Sequence, residues 1–113
     1  MLNRELPKPI KQAMRSLRGL AHEAELRQAL SELSREFDRW MDARIDSFEL
    51  ADRIHKFHHG PNREIYVRYT SRLPLPFLVR RAIDEGLIQG DSIPEQVLPY
   101  PPLAFASGSE TAA

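Results

Sequence analysis

His55, His58 and His59 stand close together with Asp52 one turn upstream, and these are the residues whose types and spacing come nearest to a reactive site. On a helix, an imidazole and a carboxylate three or four positions apart share a face, as metal ligation or proton transfer requires. At about 100° per residue, projection separates the group. Phe48, Leu50, Ala51, Ile54 and Phe57 form the apolar sector. His58 falls in the middle of that sector and His55 at its edge, whereas Asp52 and His59 join the polar sector with Glu49 and Lys56. The projection predicts that His58 faces the core and that Asp52 pairs with His55 or His59. His59, at a helix C-terminus, is favoured by the helix dipole. Asp52, His55 and His58 are the candidate catalytic groups. A buried histidine satisfied by one hydrogen bond is the more common use of such a pattern.

The fourth histidine, His22, does not complete a metal site. In a hairpin turning near residues 44–46, positions 55 and 58 lie opposite 34 and 31, which leaves His22 about 13 Å away along the helix. The sequence has no HExxH motif and no pair of ExxH motifs of the di-iron bundle kind. No metal site and no cofactor are expected. Nucleophilic catalysis also lacks its parts: there is no cysteine, no serine in a GxSxG-like turn and no glycine-rich phosphate loop.

A second constellation lies behind the Gly60-Pro61 pair, where Arg63, Arg68, Arg72, Arg80 and Arg81 interleave with Tyr66, Tyr69 and Phe77. Guanidinium groups beside aromatic rings suit phosphate, carboxylate or single-stranded nucleic acid. Arg63, Tyr66 and Arg68 are the candidate ligand-binding residues. The same arginines suit salt bridges to Glu32, Glu36 and Asp38. The charge distribution favours the salt bridges: residues 1–20 carry +4, 21–59 carry −3, 60–81 carry +4 and 82–113 carry −5, for a net charge of zero. A nucleic-acid binder usually shows a basic excess over its whole domain, so this balance argues against DNA or RNA.

The elements that would hold these residues read as helices. Residues 8–43 are rich in Ala, Leu, Glu, Arg and Gln, with Pro7 and Pro9 at the start, where proline is tolerated. Two apolar faces run along this segment. Ile10, Ala13, Met14, Leu17, Leu20, Ala21 and Ala24 form one, and Leu26, Leu30, Leu33, Phe37, Trp40 and Met41 form another pointing nearly the opposite way. Either the helix breaks between Gly19 and Glu25, or its halves pack against different neighbours, a second subunit among them; the latter is preferred. Asp46 and Glu49 have capping-box spacing, with Ile45 and Leu50 at the staple positions, so a second helix covers residues 47–59 and stops at Gly60-Pro61. The short connection implies an antiparallel hairpin. Residues 63–70 have strand-like composition, but a lone strand has no partner here, and a short helix is expected. Further helices are expected at 77–88 and near Ser92–Glu95, then an extended run at 99–106 and a disordered tail at 107–113. The expected fold is all-α: a helical hairpin capped by two or three short C-terminal helices, forming one domain over residues 1–106.

Length and composition agree with a single globular domain, because 42% hydrophobic and 28% charged residues are ordinary values for one. Absence of cysteine excludes disulfide scaffolds and thiol chemistry. No signal-peptide core or membrane-length apolar run is seen, so a soluble, cytoplasmic protein is expected. The preferred functional expectation is an accessory or regulatory protein that acts by protein–protein contact and self-associates, with Ile10, Met14, Leu17 and Leu20 as interface. The first alternative is an enzyme or small-ligand protein with an Asp/His site on the second helix facing residues 61–72. The second is nucleic-acid binding through residues 60–81.

Overall fold

The computed structural model describes residues 6–100, and every regular element among them is helical. Four α-helices follow one another: α1 (Lys8–Met41), α2 (Ser47–His59), α3 (Pro61–Thr70) and α4 (Leu75–Asp84). Two 3₁₀ turns follow, Gly90–Ser92 and Glu95–Val97. The extended run expected at 99–106 lies mostly outside the described residues, and the tail expected at 107–113 lies wholly outside them.

α1 is one continuous helix, with no break at Gly19. Its two apolar faces serve different halves of the molecule. The described residues fall into two compact units, 6–24 with 72–100 and Glu25–Ser71. α1 contributes residues 8–24 to the first and 25–41 to the second.

The first unit has an apolar core. Ile10, Met14, Leu17 and Ala21, at helical spacing on α1, are buried. On α4, Leu75, Leu78, Val79 and Ala82 repeat the spacing i, i+3, i+4, i+7 and are buried as well. Ile88 and Val97 complete this core from the segment after α4. Pro76 sits in the first turn of α4, where its missing N–H costs nothing. The helix ends earlier than the expected residue 88. Gly86, at φ 72°, donates its N–H to Ile83 O at 3.1 Å, and Leu87 N–H bonds Ala82 O at 2.8 Å. This is a Schellman termination, which needs a left-handed residue just past the helix.

The interface expected at Ile10, Met14, Leu17 and Leu20 is therefore mostly used inside the chain. The first three are buried, and only Leu20 stays out, 52% exposed. Ile10, Met14, Leu17 and Ala21 are covered within the chain.

The second unit is a hairpin of different character. α1 closes with its own Schellman pair, Arg44 N–H to Arg39 O at 2.8 Å and Ala43 N–H to Trp40 O at 3.0 Å, with Ala43 at φ 60°. Asp46 then caps α2, its carboxylate accepting from Glu49 N–H at 2.8 Å. The capping box goes no further, because the Glu49 carboxylate turns to Arg53. α2 and α3 form one bent arm. Gly60 N–H still bonds Lys56 O at 2.9 Å, but a Cβ on Gly60 would stand 3.0 Å from that same oxygen. Pro61 has no N–H to continue the ladder and opens α3 instead. Residues 61–70 are helical despite their β-branched and aromatic content, and Ile65 and Tyr69 are buried four positions apart. Besides these two, only Leu50 is buried in this unit among the described residues.

Candidate functional site

The histidine group lies on the surface. His55, His58 and His59 are all exposed. Their rings cluster, with centroids 4.4 Å apart for His55 and His59 and 5.0 Å for His58 and His59. The expectation that His58 faces the core is overturned. On α2 the residues shielded from solvent are Leu50, Arg53 and Phe57, a line narrower than the projected apolar sector and turned away from position 58. Asp52 pairs with Lys56 at 3.0 Å rather than with an imidazole. The candidate catalytic residues Asp52, His55 and His58 thus share a helix but form no acid–base pair. Among the described residues no three His, Cys, Asp or Glu side chains are arranged to hold a metal ion.

The inner face of the hairpin is held by charge. Arg53 on α2 reaches Glu36 on α1 and also bonds Glu49 at 2.6 Å. The hydrogen bond to Glu49, with support from Glu36, outweighs partial desolvation and raises the Arg53 guanidinium above its ordinary value. Its positive charge therefore holds at any pH where the fold persists. Further along, Glu25 accepts from Arg68 and from the Tyr69 hydroxyl, the latter at 2.9 Å. Trp40 Nε1 donates to Ser47 Oγ at 3.0 Å beside the turn. Pairing of basic residues with acids of α1 was expected, but the partners differ. Glu36 meets Arg53 rather than an arginine of residues 60–81, and Arg68 meets Glu25. Arg80 and Arg81 pair with Asp84 and Glu85, one turn on along α4.

Between α1, α2 and α3 runs a groove of about 460 Å³. Ala29, Leu33, Phe57 and Ile65 supply its apolar lining, and Glu25, Glu32, Glu36 and Glu64 stand with Arg53, Lys56 and Arg68 as its polar lining. No histidine lines it. Of the three candidate ligand-binding residues only Arg68 does, and that guanidinium is engaged by Glu25. Arg63 and Tyr66 are exposed, Tyr66 by 64%. Each cation of the groove already has a carboxylate partner. The parts of a binding wall foreseen from sequence do not converge.

What the hairpin does present is an apolar surface. Leu30, Phe37, Trp40, Met41, Phe48 and Ile54 are all exposed, Met41 by 74% and Phe48 by 87%. Phe48 projects away from α1, and the side of the others follows from helical geometry. Around α1, the residues that meet the α2–α3 arm are Glu25, Glu36 and Trp40, and Leu26, Leu30, Phe37 and Met41 project about 100° clockwise of them seen from the N-terminus. Around α2, Ala51, Ile54 and His58 project in the same sense from the line Leu50, Arg53 and Phe57. In an antiparallel pair, equal rotations carry both stripes to one side of the hairpin. The groove residues Gln28, Glu32 and Lys56 rotate the other way. The α1 stripe was visible in the sequence as a second apolar face. Its openness was not, because that depends on polar residues taking the contact with α2.

Among the described residues no helix is long and apolar enough to cross a membrane. No family model, curated protein or solved structure matches this chain.

Proposed function

We propose that this chain is a cytoplasmic interaction protein that acts by docking a protein partner on the apolar side of its residue 25–59 hairpin. The observation that carries this reading is the row Leu26, Leu30, Leu33, Phe37 and Trp40, spaced four, three, four and three residues apart and incompletely buried. That spacing is the seam by which one helix packs along another. Contiguous exposed apolar surface of several hundred Å² marks an interaction site more often than a solvated face. Scattered singly, such residues would need no explanation. Here they line one side of two helices, and no Lys, Arg, Asp or Glu lies within either stripe.

The enzyme reading has lost its convergence of groups, since Asp52 is paired to Lys56 and the histidines lie outside the groove. The nucleic-acid reading would need the basic stretch to offer its cations. Arg68, Arg80 and Arg81 are instead matched by carboxylates.

The test is site-specific photo-crosslinking in cells that produce the chain. A photoreactive side chain replacing Phe37 is expected to give protein adducts, and one replacing the exposed Arg35, on the far side of α1, is not. Adducts from neither position, or equally from both, would overturn the reading.

A further inference from the structure

We infer that the occupant of the hairpin's apolar side is a second copy of this chain, the two hairpins closing face to face into a four-helix bundle. This rests on the docking reading above. Four observations point to a copy rather than an unrelated protein.

The first is the economy of the unit itself. Residues 25–71 form a unit of about 47 residues with Leu50, Ile65 and Tyr69 as its only buried hydrophobic side chains among the described residues. Units this small generally rely on disulfides, a metal or oligomerisation. The chain has no cysteine, and the described residues offer no metal cluster. Oligomerisation would supply the apolar burial that these residues lack by themselves.

The second is symmetry. Two antiparallel helices with their apolar stripes on the same side make half of a bundle. A twofold axis lying in that surface brings two more helices over it and encloses Leu26, Leu30, Phe37, Trp40 and Ile54 in one core. The third is charge. A twofold contact sets each patch against its own kind, so any net charge would repel itself, and the two stripes between residues 26 and 58 hold no acidic or basic side chain apart from His58. The fourth is size. Sixteen residues of α1 run about 24 Å, and two helices side by side are about 20 Å wide, a face on the order of 500 Å² in projection. Side-chain relief brings this toward the roughly 800 Å² per partner of a standard stable interface.

The purified full-length chain tests this in two ways. Sedimentation velocity across about 1–50 µM is expected to show a dimer. Leu30→Glu with Phe37→Glu should reduce it to monomer with unchanged helical circular dichroism, and Arg35→Glu should leave it dimeric. Trp40, the chain's single tryptophan, provides a readout that needs no variant. It borders the seam and is partly exposed, so its emission should shift to longer wavelength as dilution separates the copies. A wild-type monomer over the whole range would overturn the inference. So would a dimer that survives the double substitution in folded form, or a Trp40 emission that is constant while the dimer dissociates. If the wild type is monomeric but Phe37 still crosslinks to a different protein in cells, the copy is ruled out and the docking reading stands. If neither occurs, both fail.

Discussion

Ala43 occupies a backbone position that glycine would hold at less cost. At φ 60° it is the left-handed residue of the α1 Schellman termination, the role Gly86 plays for α4. A left-handed conformation costs an L-residue about 1–2 kcal/mol, and glycine gives back about 0.4–1 kcal/mol through its freer unfolded chain. Ala43→Gly should therefore stabilise the protein by about 0.5–1 kcal/mol, seen as a higher urea midpoint at unchanged slope. The ion pairs give a second residue-scale expectation. Glu25 and Arg68 are both partly buried, and Glu25 also serves Tyr69, whereas Lys56 and Asp52 are exposed. Double-mutant cycles should return a coupling of about 1–3 kcal/mol for Glu25–Arg68 and less than about 0.5 kcal/mol for Asp52–Lys56. Equal couplings would mean that burial of the first pair contributes nothing. Some of this was legible beforehand: Asp46 announces itself as a cap by type and spacing. His58 could not be placed in the same way. A projection shows which residues share a sector, but not that a guanidinium reaching two carboxylates will occupy the contact line in its stead.

At the scale of elements, α1 matters most. The reversal of its apolar face allows either a broken helix or a helix with two sets of neighbours, and local propensity alone does not choose between them. The structure keeps the helix whole, so Gly19 sits exposed in a helix interior, and apart from its chain neighbours and the local helix backbone nothing lies within 4 Å of where a Cβ would stand. Gly19→Ala should then raise stability by about 0.5–1 kcal/mol in thermal or denaturant unfolding. Loss of stability would instead indicate a chain reversal there. α3 shows the opposite limit. Strand-like composition yields to the Gly60-Pro61 start and to burial of Ile65 and Tyr69 one turn apart. The end of α4 at Asp84 was legible in principle, since glycine just past a periodic segment is a stop signal, but the apolar pattern continuing to Ile88 masked it.

For the whole molecule, the all-α class follows from helical periodicity and from the absence of any paired strand pattern, both properties of sequence. The division into two units does not. It arises because one half of α1 meets apolar neighbours and the other meets a charged arm, and such pairings between distant segments are not written in local spacing. The surroundings of the histidines depend on such pairings too, because which residues of α2 meet α1 decides that position 58 stays exposed. Residue types suggested chemistry at the histidines, whereas the surface left most in need of a neighbour is made of leucine and aromatic side chains. Function at this scale is read from what the fold leaves uncovered.

The charged inner face of the hairpin makes its geometry sensitive to dissolved ions. Arg53 joins α2 to α1 at one level and Arg68 joins α3 to α1 at another, both through carboxylates within reach of solvent. Two such ties fix how far the arms can slide past each other. In about 1 M salt the Debye length shrinks to about 3 Å and attraction between partly exposed charges fades. The apolar core of residues 6–24 and 72–100 does not weaken under those conditions. Ionic strength therefore loosens one half of this molecule while sparing the other, and the hairpin behaves as a clasp whose grip is set by the electrolyte around it.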